Sequence, residues 1–167
     1  MLRREFMITT ALSTFGAAIG TAPRAMATPV NLRIASIEPY LVKGGKCFVL
    51  VRTSENITGI GEVSPMNSRA SFQLIRDEFA PRLQGMNPLD IDRCWEKLFY
   101  QTYKQGVMGL QPEAIAGVDI ALWDVLGKVA GLPIHQLLGG KRRDSVRVYA
   151  SIGGGGASTP NRMAELA

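Results

Sequence analysis

This 167-residue chain has one histidine, two cysteines and few aromatic residues. His135 stands in a short turn after Pro133-Ile134, far in sequence from any cluster of carboxylates. It has no ready partner for metal binding or proton transfer, so a surface or internally satisfied residue is the plainer reading. Cys47 and Cys94 lack CxxC spacing and a neighbouring histidine, which excludes an ordinary zinc site. Outside the leader the only basic cluster is Lys141-Arg142-Arg143, followed at once by Asp144. Without interleaved aromatics it reads as a solvated linker turn, and nucleic-acid binding is excluded. Gly153 to Gly156 has neither the Lys-Ser/Thr of a phosphate loop nor the spaced glycines of a dinucleotide site. No stretch reaches the ~20 strongly apolar residues that a stable membrane span requires.

What is present is an ordinary globular balance, 46% hydrophobic and 20% charged, enough for one domain with a real core. Residues 1–27 are a leader: Arg3-Arg4 before Glu5-Phe6, a mildly apolar run to Ala22, then Ala25-Met26-Ala27 as an A-x-A cleavage site. The arginine pair with weak hydrophobicity resembles a twin-arginine export signal, which implies a periplasmic or exported protein. An ordinary secretory leader and a lone membrane anchor are the competing readings. Removing the leader takes three arginines and one glutamate and lowers the net charge from +5 to +3. An exported protein could pair Cys47 with Cys94, but a chain exported already folded acquires its fold in a reducing compartment, so two buried thiols are the expected state.

The mature chain opens with three strand candidates, Asn31 to Val42, Cys47 to Thr53 and Thr58 to Val63, joined by turns at Lys43 to Lys46 and Ser54 to Asn56. The glycines of the third imply a bulge or tight packing. An irregular polar stretch, Ser64 to Ser71, leads to a helix marked by Phe72, Ile75, Phe79 and Leu83, with Pro81 expected to kink or fray it. Asn87-Pro88 is expected to cap a second helix bearing Ile91, Trp95, Leu98 and Phe99. A longer helix follows from Glu113, with apolar residues at Ile115, Val118, Leu122, Val125, Leu126 and Val129. Pro112 suits its first turn, Gly131 its end cap, and Pro133 blocks continuation. Gly117 and Gly127 each cost a helix about 1 kcal/mol against alanine, and so predict close approach by another backbone. Asp144 to Ser151 reads as a new strand, and Ser158-Thr159-Pro160 as the start of another helix. Sheet first and helices afterwards predicts an α+β domain.

Two carboxylates on the long helix, Asp119 and Asp124, invite reading as a general acid and base. Five residues of separation put them ~140° apart around a helix, so they do not converge on one substrate atom. Asp124 and Lys128 form an i, i+4 pair, and Asp119 is expected to bond a backbone group or an arginine.

The segment A-x-A-G-V-D-x-A-L-W-D, then G-K and P-I-x-x-L-L-G-G, runs from Ala114 to Gly140. It resembles the signature of the mandelate racemase/muconate-lactonising group of the enolase superfamily, and the resemblance extends over roughly residues 31–167. It implies a three-stranded antiparallel meander and helical bundle over 31–140, a cap on a (β/α)8 barrel. The first barrel strand would be Val146 to Ser151, within an incomplete barrel segment at 145–167, since a whole barrel takes about 250 residues. In the resembled family a carboxylate-bound Mg2+ stabilises an enediolate formed by a Lys or His base. The motifs for both lie on later strands, so no catalytic or metal-binding residue is expected in these 167. The form of the signature, with V-R-V-Y-A following, resembles the acid-sugar (galactonate-like) dehydratases, which are hydro-lyases, more than the muconate cycloisomerases, and the family implies a hydro-lyase or an isomerase/racemase. The resemblance further implies two cap loops over the substrate, the turn at Lys43 to Lys46 and the stretch Ser64 to Phe72. Lys43, Lys46 and Arg69 would suit an anionic acid sugar and Met66 the pocket wall. The expected partner is thus a small carboxylate or acid sugar once a barrel is supplied, with homo-oligomerisation left open. The competing expectation is a non-catalytic exported binding module.

If the leader uses the twin-arginine route, Arg3→Lys with Arg4→Lys leaves uncleaved protein in the cytoplasm. Cell fractionation reads this directly, and mature protein near Thr28 outside the cytoplasm in the double variant counts against the route.

Overall fold

The computed structural model describes residues 31–149. The expected leader, the expected Gly153 to Gly156 loop and the helix start expected at Ser158 lie outside them. Three strands, β1 (Ile34–Val42), β2 (Lys46–Thr53) and β3 (Thr58–Val63), form an antiparallel sheet in the order β1-β2-β3. Its inner face is set by alternation: Cys47, Val49 and Val51 of β2, with Val63 of β3, are buried. In β1 the buried residues are Ile34 and Ile37, an odd spacing that alternation alone forbids. The register shift between Ile34 and Ser36 resolves it, because a bulge flips the face of the residues that follow.

Helices cover that face. α1 (Ser68–Leu74) passes through a π turn (Ile75–Phe79) into α2 (Ala80–Leu83). The expected distortion at Pro81 falls just ahead of it. The Ala80 amide reaches back to the Ile75 carbonyl, and the wider turn accommodates a ring that cannot complete the α-helical pattern. Asn87 does not cap the next helix. Its side-chain oxygen accepts from the Leu89 amide at 3.1 Å, closing a turn, and α3 (Ile91–Thr102) starts behind Asp90. α4 (Leu110–Ala130) begins three residues before Glu113, with Pro112 in its first turn. It ends where Gly131 adopts φ 65°, its amide bonding the Gly127 carbonyl. The short α5 (Ile134–Leu137) follows.

Among the described glycines, the closest backbone approaches lie between α4 and β3. A Cβ on Gly59 would overlap the Ala121 carbonyl oxygen, and one on Gly61 the Gly117 carbonyl oxygen. In return a Cβ on Gly117 would come within 2.5 Å of Val63 Cγ2. Strand and helix backbones therefore touch, which only glycine permits at these positions. A Cβ on Gly127 would instead come within 3.0 Å of the Leu132 carbonyl oxygen, so its close neighbour is the turn after its own helix.

The helix overhangs the sheet edge as well. Asp124 Oδ2 accepts from the Ile60 amide at 2.9 Å, and Lys128 Nζ donates to the Thr58 carbonyl at 2.6 Å and to Asp124 at 2.8 Å. Two outward-facing backbone groups of β3 are thereby paired, which blunts an edge that another strand could otherwise join.

The strand expected from Val146 to Ser151 is not formed over Val146–Tyr149. Those residues carry no strand pairing, and Val146, Val148 and Tyr149 are 73%, 90% and 91% exposed. Ala150 and Ser151 lie outside the described residues. A strand is defined by its neighbours, and among the described residues none lies alongside.

Gly61→Ala, set against the Gly117 carbonyl, lowers stability to urea by about 3 kcal/mol or more. Gly85→Ala, with open space at its Cβ and only its φ of 79° against it, lowers it by about 1–2 kcal/mol. Equal losses would show that the helix–strand contact is not tight.

Candidate functional site

Strand register decides which loops meet. Val42 pairs with Lys46 across the first turn, and Cys47 pairs with Val63. The β1–β2 turn and the exit of β3 therefore emerge side by side at one end of the sheet. Between them is a cleft of about 400 Å³, with Gly44 and Gly45 on one wall and Pro65 to Ala70 on the other. The first wall turns on glycines at φ 97° and 80°, values that suit residues without a Cβ. The second begins as a 3-10 turn, Pro65–Asn67, headed by Ser64, whose hydroxyl accepts from the Met66 amide at 3.4 Å. The Ser-Pro start was a legible sign of that turn within a stretch read as irregular.

Of the four residues expected at a substrate site, Met66 and Arg69 line this cleft. Met66 is 86% exposed. Lys46 is drawn away to Glu62 on β3, 3.1 Å from its Nζ, and Lys43, in the turn, is not among the lining residues. Arg69 is thus the cation that faces the space. Asn67 and Ser68 line the cleft too, and sequence spacing carries no sign of either.

A second cleft, of about 500 Å³, is bounded by His135, Leu138, Val146 and the Gly140 to Arg143 turn. No carboxylate lines it. His135 is exposed, as a lone surface histidine should be.

Candidate acid–base groups on α4 do not form a pair. Asp124 serves the β3 edge, the backbone role expected of Asp119. Asp119 has no arginine partner among the described residues. It is half-buried, and burial pushes its carboxyl upward, with Asp92 adding to the rise and a hydrogen bond from Trp123 opposing it. The thiols are equally unsuited to chemistry. Cys47 and Cys94 are free and fully buried. Burial raises both, with Cys94 pushed up to about 11, far from the range of a reactive thiolate.

Among the described residues, no three His, Cys, Asp or Glu side chains gather where they could hold a metal ion. They do not fit a Mg2+ site.

Residues 17–139 match the family model of the mandelate racemase/muconate lactonizing enzyme N-terminal domain. The chain belongs to that family. A D-galactonate dehydratase family member from Streptomyces sp. (strain SPB78) is 39% identical over 145 residues, 81% of this chain and 33% of the relative. An enolase-superfamily member from Salmonella Typhimurium superposes with a TM-score of 0.69 at 33% identity, over 80% of this chain and 38% of that one. A mandelate racemase/muconate lactonizing protein from Paracoccus denitrificans PD1222, complexed with magnesium, gives 0.63 at 36% identity, over 67% and 31%. The meander and helical bundle are therefore the family's N-terminal domain, and the chain spans about a third of the length of the curated relatives it matches.

The Asp119 carboxyl, raised in the folded state, binds its proton more tightly there than in the unfolded chain. Its charged form lowers stability above the folded pKa, and that loss fades as pH falls through the unfolded value near ~3.9. Asp119→Asn is therefore more stable than wild type at pH 7, with the difference closing by about pH 3. Urea titrations at the two pH values measure it.

Proposed function

We propose that residues 31–140 are the substrate-capping domain of a Mg2+-dependent acid-sugar dehydratase, acting outside the cytoplasm. The observation that carries the reading is the cleft itself. The two loops which the family resemblance assigns to substrate meet there, with Arg69 as a cation and Met66 as an apolar wall. An arginine fork suits the carboxylate or clustered oxygens of an acid sugar. Met66 covers the carbon chain and helps to keep water from the reacting end. The similarity to a D-galactonate dehydratase family member supports a substrate of that class.

Proton transfer and metal chemistry lie outside this domain on the proposed reading. The cleft contains no carboxylate and no histidine, so its residues bind, orient and exclude water. The 167 residues alone accordingly turn over no acid sugar. Purified chain with Mg2+ and galactonate is expected to give no product above a heat-killed control.

A graft tests the capping role. Residues 31–140 replace the matching third of the Streptomyces relative, and galactonate dehydration by the chimera is followed. Activity is expected to survive, with Arg69→Ala lowering kcat/KM about ten-fold or more, the scale of a lost charge-assisted hydrogen bond. An active chimera indifferent to Arg69→Ala, Met66→Ala and the double variant would remove the cleft from substrate binding.

A further inference from the structure

The first half of the cleft's outer wall, Ser64 to Asn67, has few ties to the body of the domain, whereas Ser68 to Ala70 open α1, in which Ser68 is buried. Beyond its continuation into α1, whose N-cap is Asn67, the stretch from Ser64 to Asn67 makes no backbone hydrogen bond to another element among the described residues, and the Ser64 hydroxyl serves only the Met66 amide within the turn. One side-chain bond leaves the turn: Asn67 Nδ2 donates to Glu113 Oε2 at 3.0 Å, across 46 residues of sequence. Glu113 is a firm post. It stands in the first turn of α4, beside the buried Ala114 and Ile115. Gln111, fully buried two residues earlier, donates to the Phe99 carbonyl at 3.0 Å and to Thr102 Oγ1 at 2.9 Å, fastening that turn to α3.

We propose that Glu113 is a positioning residue for the cleft, holding the Pro65 to Ala70 wall through Asn67 and so fixing where Met66 and Arg69 stand. Met66 precedes Asn67 directly, and Arg69 follows within one helical turn. A turn released at Asn67 therefore shifts Met66 and loosens the first turn of α1, on which Arg69 stands. The functional meaning rests on the capping reading above. The contact itself does not, since an inactive graft leaves the tether standing, and a missing tether leaves the capping role to be decided by the graft.

Hydrogen exchange on the purified chain, read by rapid quench and mass spectrometry, tests the tether in three variants. Glu113→Ala removes the acceptor, and Asn67→Asp replaces the donor with a second carboxylate. Both are expected to speed exchange over Met66 to Arg69 about five-fold, the scale of one net hydrogen bond. Glu113→Gln keeps an acceptor oxygen and is expected to stay within about two-fold of wild type. Protection across Val118 to Val125 is expected to remain unchanged in all three. Unchanged exchange over Met66 to Arg69 in Glu113→Ala overturns the proposal. So does equal loosening in Glu113→Gln, or a rise that extends to Val118–Val125, which marks general loss of stability.

Discussion

The contact on which the rest of this domain depends is the backbone approach of α4 to β3. Gly59 and Gly61 bring the strand against the carbonyls of Ala121 and Gly117, with no side chain between. That closeness lets Asp124 and Lys128 reach over the edge of β3 to the Ile60 amide and the Thr58 carbonyl. With ordinary side chains in the gap, the helix would stand off and the edge would be left to solvent or to another chain. The glycines thus do two things at once: they seat the helix and make possible the polar pairing that closes the sheet.

The cleft inherits its geometry from the same contact. β3 is fixed between β2 and α4, so its exit at Val63 is fixed, and so is the start of the Pro65 to Ala70 wall. The facing wall is the β1–β2 turn, set by the pairing of Val42 with Lys46. A rigid sheet end with a turn on each side is a frame on which loop composition can change without disturbing the core.

Much of the architecture was legible because its signals are local. The apolar spacing of α4, its Pro112 start and its Gly131 end are properties of a few consecutive residues. Gly117 announced a close neighbour, though a missing Cβ says only that something is near. That the neighbour is β3 depends on the whole packing. Asp119 and Asp124 were separable by angle, but which one meets the sheet edge depends on how far the helix overhangs it. Val146 to Tyr149 has the composition of a strand, and composition cannot supply the neighbouring strand that would make it one. At the cleft, the loops were found through a family signature on α4. The capture of Lys46 by Glu62 is a matter of strand register, which no spacing rule exposes.

The charge arrangement at the cleft limits what this domain can contribute. Lys46 is held by Glu62, which leaves Arg69 as the cation that faces the space, and no group there can give or take a proton near neutral pH. A site of this kind can distinguish ligands by charge and by the shape of a carbon chain, but its interactions are made equally well before and during reaction. Such uniform binding lowers KM without raising kcat, unless it holds the reacting end against groups supplied elsewhere. The value of the cleft to a catalyst therefore lies in where its walls are held. Small displacements of a binding wall can carry large losses in rate when chemistry depends on alignment. That gives physical weight to a tether such as Asn67–Glu113, which adds little to global stability and acts on the position of the two residues proposed to face a ligand.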